Sequence, residues 1–519
     1  RESGRVFLTG TQALVRIPLM QRTMDLAAGL NTAGFISGYR GSPLGSYDME
    51  LWRAARYLEE SNVRFLPAVN EELAATAILG TQQVEGDPQK NVDGVFGIWY
   101  GKGPGVDRAG DGLKHGNAYG SSPHGGVLVV AGDDHGCVSS SMSHQSDVAF
   151  LTWLMPNLNP ANVAEYLQFG MYGLALSRFS GMWVGFKAIS ETVESAMSVE
   201  LGSYPQFVIP QDFTPPPQGL HIRWPDYPGP QIEERLEFKK AATLAFAAAN
   251  PIDRKIFDTP NAKYGIVTTG KGHLDLMEAL RLLGIDRQEA RRIGLDVYNV
   301  GMVWPLAHDS ALEFVRGKHE VLVIEEKRGL IESQFKEYFY DYPGRKPKRM
   351  VGKEDEHGQP LVPWVGELSP IQLAHIVAAR LDAEFMGLNL TNRAKSLAND
   401  DVPLINIAGA SRTPYFCSGC PHNTSTKVPE GSHALAGIGC HFMANWMTRD
   451  TDGLIQMGGE GVNWITRSMF NGEQHVFQNL GDGTFYHSGS LAIRQAFAAG
   501  TNITFKILYN DAVAMTGGQ

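Results

Sequence analysis

Only four of the 519 residues are cysteine, and three of those four lie together in YFCSGCPHNTSTKVPEGSHALAGIGCHFM, residues 415 to 443. So sparse and so clustered a set excludes a disulfide framework, in which cysteines staple a small domain throughout. Long apolar runs are missing as well: nothing approaches the ~18 residues of a membrane span. Basic residues are in deficit, 45 Lys and Arg against 55 Asp and Glu for a net charge of −10, so nucleic acid is not an expected partner. The opening RESGRVFLTGTQALVRIPLM lacks the apolar stretch and cleavage site of a secretory signal, and the expected compartment is the cytoplasm. What remains is a globular balance of 43% hydrophobic and 19% charged residues. At this length about three domains are expected.

Residues 1–209 alternate helical and strand-like patterns. ELAATAILGTQQ reads as a helix, and FISGYRGSP, VDGVFGIWYG and GGVLVVAGDD read as short apolar strands ending in glycine. Strand alternating with helix predicts a parallel sheet covered on both faces. Residues 210–231 are dense in proline and read as a surface linker. A second α/β unit spans 232–382, with strands at YGIVTTG, LDVYNVGMV and EVLVIEE. A polar connection, 383–412, leads to a third α/β unit at 413–519, with strands at GLIQMGG, HVFQNLGDG and ITFKILYND. The chain stops at AMTGGQ, directly after a strand and turn, which predicts further polypeptide beyond Gln519.

In the third unit the strand HVFQNL stops at Gly481-Asp482-Gly483, and the next strand ends at Asn510. Open parallel sheets bind ligands beyond the carboxyl ends of their strands, so Asp482 and Asn510 are expected at adjacent strand ends. A hard cation such as Mg²⁺ takes a carboxylate, an amide oxygen, a backbone carbonyl and phosphate oxygens. The two glycines let backbone N–H groups approach a diphosphate at a helix start. A lone GDG is weak evidence, because it often marks only a strand-to-turn junction.

GDG followed after another helix and strand by Asn resembles the thiamine diphosphate fingerprint. The tail YNDAVAMTGGQ resembles the metal loop of the 2-oxoacid:ferredoxin oxidoreductases. That resemblance implies Asp482, Asn510 and the Ala512 carbonyl as Mg²⁺ ligands, with Gly481, Gly483 and Thr516 beside the cofactor. Thiamine enzymes also need a carboxyl group that hydrogen-bonds the aminopyrimidine ring. Glu71 in VNEELAATAILG has Ala74, Ala77 and Gly80 spaced along one helix stripe and is the expected acid; Glu72 suits the plainer role of a charge at a helix N-terminus. His487, five residues past Asp482, is a catalytic candidate, and a structural histidine is the alternative there. His115 and His135 are weaker candidates, and Asp133 and Asp134 read as turn formers.

Cys417, Cys420 and Cys440 suit a soft metal or an iron–sulfur cluster. The alternatives are a zinc site completed by His422, a redox dithiol, or plain buried thiols. CSGCPH and GIGCHF resemble the segments that hold a [4Fe–4S] cluster near thiamine in the same oxidoreductases, whose fourth cysteine lies after the metal loop. Cys137, in the first unit, is a poor fourth ligand.

Within that superfamily the sequence is similar to the indolepyruvate ferredoxin oxidoreductase family. GFISGYRGSPLGSYD resembles a segment lining the thiamine pocket, which implies Ser42 as a cofactor contact, although Arg40-Gly41-Ser42 stands where relatives carry Pro-Gly-Thr. AGDDHGCVSSSMSHQSD resembles a second family segment. The resemblance implies several doubly wound parallel-sheet α/β domains: a pyrimidine domain, a transketolase C-terminal-like domain and a diphosphate domain. It implies oxidative decarboxylation of a 2-oxo acid, with coenzyme A taking the acyl group and ferredoxin the electrons, in a homodimer or larger homo-oligomer. Aryl pyruvates such as indolepyruvate are the implied substrates. The competing readings are a non-oxidative thiamine-dependent decarboxylase or lyase, and a zinc-stabilised scaffold without catalysis.

Overall fold

The computed structural model describes residues 3–202, 204–223, 225–397 and 414–509. It separates into two compact units, Arg1–Val402 and Pro403–Gln519. The first holds both of the α/β regions expected upstream of residue 382, and the second holds the region expected from 413 onward.

The first unit is built on a seven-stranded sheet. In spatial order its strands are Met302–Trp304, Asn157–Leu158, Val184–Lys187, Val127–Gly132, Val95–Lys102, Ala33–Gly38 and Val63–Phe65. All neighbours run parallel except Met302–Trp304 against Asn157–Leu158. Every residue of Val127–Gly132 is buried, and successive side chains enter different cores. Leu128 and Val130 join Ile17, Tyr166 and Phe186 on one face, whereas Val127, Val129 and Ala131 join Ala75, Ile78 and Trp183 on the other. A period of two places alternate residues on opposite faces, and parallel crossovers cover both with helices. Two of these helices begin where the sequence provides a cap. Thr9 and Gln12 form a reciprocal capping box at Gly10–Ala27, and the Asn70 side chain accepts from Leu73 N at 2.9 Å at the start of Glu71–Gln83.

A five-stranded sheet in the same unit runs Arg349–Val351, Glu320–Ile324, Tyr264–Thr269, Leu295–Val300 and Arg254–Lys255, with only the last strand antiparallel. It too is buried on both faces: Ile266, Val297 and Leu322 enter one core, and Val267, Tyr298 and Val323 the other. One expectation divides here. LDVYNVGMV was expected as one strand, but Leu295–Val300 stays in this sheet whereas Met302–Trp304 crosses to the edge of the seven-stranded sheet. The two sheets therefore share a chain segment and cluster as one unit.

The second unit holds four parallel strands in the order Thr451–Asp452, Ala434–Leu435, Val476–Gly481 and Ile503–Leu508. Its apolar core is small: Leu435, Trp464 and Val476, with Ile503 packed against them. The expected strand GLIQMGG does not form; pairing stops at Asp452, and Gly453 and Gly458 take φ of +84° and +90°. That left-handed backbone breaks a β ladder. No helix among the described residues is long and apolar enough to cross a membrane.

Candidate functional site

In the first unit the strand Val63–Phe65 leads through a short connection to Asn70, whose cap places Glu71 at the first turn of its helix. Glu71 is buried and Glu72 is exposed. Glu71 is set from several sides. Its carbonyl accepts from Trp99 Nε1 at 3.0 Å. A methyl placed on Gly105 would stand 2.7 Å from its Cγ and Oε1, and one on Gly101 would stand 3.4 Å from Cγ. The small-residue stripe differs from expectation: Ala74 is buried with Ala75 and Ile78, but Ala77 and Gly80 are exposed. The buried side of this helix follows the Glu71–Ala74–Ala75–Ile78 pattern, the usual three-or-four spacing of a packed helix face.

Lys102 ends the neighbouring strand Val95–Lys102 and was not anticipated. Burial lowers the pKa of its ammonium, against the opposing charges of Asp134, Glu71 and Cys137. Its Nζ donates to the Ser139 carbonyl at 3.1 Å. The paired aspartates prove to be turn and helix formers. Asp133 accepts from Ser146 N at 2.8 Å and Oγ at 2.6 Å, and Asp134 accepts from Val138 N at 2.9 Å and Ser139 N at 2.7 Å. Burial works against the Asp134 carboxylate, but those N–H donors hold it below the usual carboxylate range.

His135 is buried, and its Nδ1 lies 2.6 Å from Glu326. Burial would raise the Glu326 pKa, yet His135 and Lys271 bring it down to about 2. This histidine thus belongs to a polar seam between the two sheets, in which Glu326 also pairs with Lys271. His115 is exposed beside Asp111. Ser42 is exposed in the turn after Ala33–Gly38, close in sequence to the buried Arg40–Asp48 pair at 3.1 Å. Cys137 is exposed.

In the second unit Val476–Gly481 runs directly into Asp482, whose Oδ1 accepts from Gly483 N at 2.8 Å. The chain then passes through a π-helical turn, Phe485–Gly489, that buries His487 with its Nδ1 2.6 Å from Ser488 Oγ. Asn510, Ala512 and Thr516 lie outside the described residues. Around this strand end the structure gathers groups that the sequence reading missed. Glu460 is fully buried and accepts from Gly458 N at 2.6 Å and Ile438 N at 3.4 Å. Burial raises its pKa, against those N–H donors and the charge of His487. Burial and His422 bring His441 down to about 4. A methyl on Gly437 would stand 2.4 Å from the Asn479 carbonyl oxygen and 2.9 Å from His441 Nε2. His441 Nε2, His422 Nδ1 and both side-chain polar atoms of Asn479 are buried without a hydrogen-bond partner among the described residues. Unsatisfied buried polar atoms are costly in a folded protein, and several at one strand end mark a place where a polar ligand or water completes the bonding. The run MGGEG, directly after the apolar part of the expected strand GLIQMGG, was the available signal.

Cys417 is exposed and Cys420 and Cys440 are half-buried, all as free thiols. Cys420 N donates to the Cys417 carbonyl at 3.0 Å, and Asn423 Nδ2 reaches both carbonyls at 3.1 and 3.2 Å. Burial pushes the Cys440 thiol up, and the charges of Cys420 and Cys417 push it further. The three thiols therefore sense one another's charge. Among the described residues, however, no three or more His, Cys, Asp or Glu side chains are placed as a metal-ligating group. That holds equally for the zinc set with His422.

Residues 254–401 match the indolepyruvate oxidoreductase domain family. The chain is 25% identical over 433 residues to the indolepyruvate oxidoreductase subunit IorA of Thermococcus kodakarensis, covering 78% of this chain and 62% of that protein. It is 22% identical to IorA of Methanothermobacter thermautotrophicus over 543 aligned residues, covering all of this chain and 77% of that one. The chain thus spans less than two thirds of the length of the first of these relatives. Among solved structures, a 2-oxoglutarate:ferredoxin oxidoreductase from Magnetococcus marinus is 15% identical, with a TM-score of 0.49 over 73% of this chain and 66% of that one. The resemblance expected from the motifs is borne out by the matched domain and these relatives.

Proposed function

We propose that the chain is the thiamine diphosphate-dependent part of a 2-oxoacid oxidoreductase acting on an aryl pyruvate such as indolepyruvate. In the proposed reaction the bond between the carboxylate and the 2-oxo carbon breaks and CO₂ leaves. A thioester would form with coenzyme A, two electrons would leave for ferredoxin and one proton would be released; a [4Fe–4S] cluster, when bound, would supply one-electron redox chemistry. The similarity to indolepyruvate oxidoreductase subunits supports the oxidation of a 2-oxo acid.

The observation that carries the reading is the carboxyl end of Val476–Gly481. There Asp482 stands beside glycine backbone too crowded to accept a Cβ at Gly437, amid buried polar atoms without partners. The fit extends to the acid: Glu71 is a buried carboxyl at a capped helix start. Thiamine diphosphate, when bound, supplies the electron sink that side chains lack. Asp482 would supply a carboxylate oxygen to Mg²⁺, with Asn510 and the Ala512 carbonyl as the other protein ligands. Gly481 and Gly483 would admit the diphosphate, Ser42 and Thr516 would contact the cofactor, and His487 would act on the substrate. Glu71 would hold a proton at the aminopyrimidine ring. Cys417, Cys420 and Cys440 would contribute three of the cluster's thiolates.

Calorimetric titration of the full chain with thiamine diphosphate and Mg²⁺ tests the core of this reading. Wild type is expected to bind, and Asp482→Ala is expected to lose Mg²⁺-dependent binding without unfolding. Wild-type affinity in the variant overturns the metal assignment. Iron content and electron paramagnetic resonance of the reduced protein test the cluster; zinc at full occupancy without iron overturns the oxidoreductase reading.

A further inference from the structure

A 2-oxo acid brings a carboxylate to the site, and a carboxylate needs a cation where it binds. Most cationic side chains near the carboxyl edge of the seven-stranded sheet already have acidic partners. Arg40 pairs with Asp48 at 3.1 Å. Lys187 pairs with Asp147 at 3.1 Å and lies 3.9 Å from Asp133. Lys271 pairs with Asp275 at 2.7 Å and Glu326 at 3.4 Å, and also donates to the Leu368 carbonyl.

Lys102 is different. It has one hydrogen bond, to the Ser139 carbonyl, and no ion pair within 4.0 Å among the described residues. An ammonium carries three donors, so two are uncommitted. Asp134 acts on it from beyond ion-pair distance and directs its oxygens to Val138 N and to Ser139 N and Oγ. The lysine stem is confined: a methyl on Gly41 would stand 2.9 Å from its Cδ and 3.3 Å from its Cγ. Glu71 lies against the residue before this lysine, since a methyl on Gly101 would stand 3.4 Å from its Cγ. A half-buried cation with free donors, fixed at the carboxyl end of a parallel strand, suits an anionic group arriving with a ligand.

We infer that Lys102 anchors the carboxylate of the 2-oxo acid at the Glu71 site. This assignment rests on the thiamine-dependent reading above and adds to it the residue that selects an acid substrate. A Lys ammonium binds as a point charge, so it fixes the carboxylate without dictating the shape of the rest of the molecule. The 2-oxo acid's remaining specificity must then come from other contacts.

The test is calorimetry on the full chain with two unreactive probes of one shape, indole-3-propionate and its neutral amide. Wild type is expected to hold the acid more tightly than the amide. Lys102→Met should weaken the acid by about ten- to a hundred-fold, the loss of one charge-assisted hydrogen bond, and leave the amide unchanged. Lys102→Arg, which keeps the charge, should recover most of the difference, and Lys102→Gln serves as the neutral variant if the Met protein fails to fold. Equal weakening of both probes would reveal a merely structural lysine and overturns the inference. So does any other pattern, including a wild type that holds the acid no better than the amide. Thiamine diphosphate is titrated separately: failure of wild type to bind it defeats the proposed function whatever the probes show. Binding of the cofactor with failure of the probe comparison defeats only the role of Lys102.

Discussion

The seven-stranded sheet and the four-stranded sheet both end at a candidate acid, Glu71 in one and Asp482 in the other, yet they hold these residues by different means. The larger sheet is buried on both faces, and Glu71 rides on a helix whose Ala74, Ala75 and Ile78 enter its core. Apolar burial supplies the rigidity. The smaller sheet has a core of Leu435, Trp464 and Val476 with Ile503 against it, and its strand ends are lined by Glu460, His441 and Asn479. The difference teaches that Glu71 is positioned by apolar packing, whereas Asp482 follows a strand whose surroundings include buried polar atoms without a partner among the described residues.

Four changes would break or sharpen this comparison, taken from the largest expected effect. Glu71→Gln keeps the shape and removes the proton. It is expected to slow exchange of the thiamine C2 hydrogen by about 10²–10⁴-fold, measured by NMR in deuterated buffer, with the larger sheet's stability intact. An unchanged rate would move the role to another acid. Trp464→Ala removes the largest side chain of the small core, whose Nε1 also donates to the Asn502 carbonyl at 3.1 Å. It should destabilise the second unit by about 3–5 kcal/mol. Hydrogen exchange should then accelerate in 414–509 and remain unchanged in the first unit.

The third change concerns pH. Burial and the charge of Arg254 bring His273, in the five-stranded region, from 6.5 down to about 4. Between those values the unfolded chain binds a proton that the folded one refuses, so this histidine costs stability as pH falls from about 6.5 to about 4. The full effect is at most about 3 kcal/mol. His273→Gln should flatten that part of the stability curve, read from urea midpoints at pH 7 and pH 4.5. An equal slope in the variant would assign the pH response elsewhere. Last, Gly437→Ala forces a methyl to 2.4 Å from the Asn479 carbonyl. It should cost about 1–3 kcal/mol of second-unit stability and weaken cofactor binding, whereas Gly80→Ala, with nothing within 4 Å of the added carbon, should be tolerated.

Much of the fold was legible because its signals are local. Apolar runs ending in glycine marked Val95–Lys102 and Val127–Gly132, and the stretch ELAATAILGTQQ marked the helix that begins at Glu71. GLIQMGG failed as a strand because its apolar residues resemble a buried strand while its glycines take left-handed backbone, and periodicity cannot distinguish the two. Ala77 and Gly80 looked like a packing stripe because small residues fit a close interface. In this chain they are exposed, and the helix packs through Ala75 and Ile78 instead.

By itself the sequence determined what short stretches of chain can do: caps, strand runs, the GDG turn after a strand, and thiols separated by two residues. These depend on torsion angles and neighbours within a few residues. Tertiary structure alone decided the rest. It sent Met302–Trp304 to the edge of a sheet whose other strands lie more than a hundred residues earlier. It brought His441 and Glu460 together against Gly437, and it left Lys102 without an ion-pair partner among the described residues while pairing Lys187 and Lys271. Whether a charge is paired depends on which distant segments pack against it, and no spacing along the chain records that.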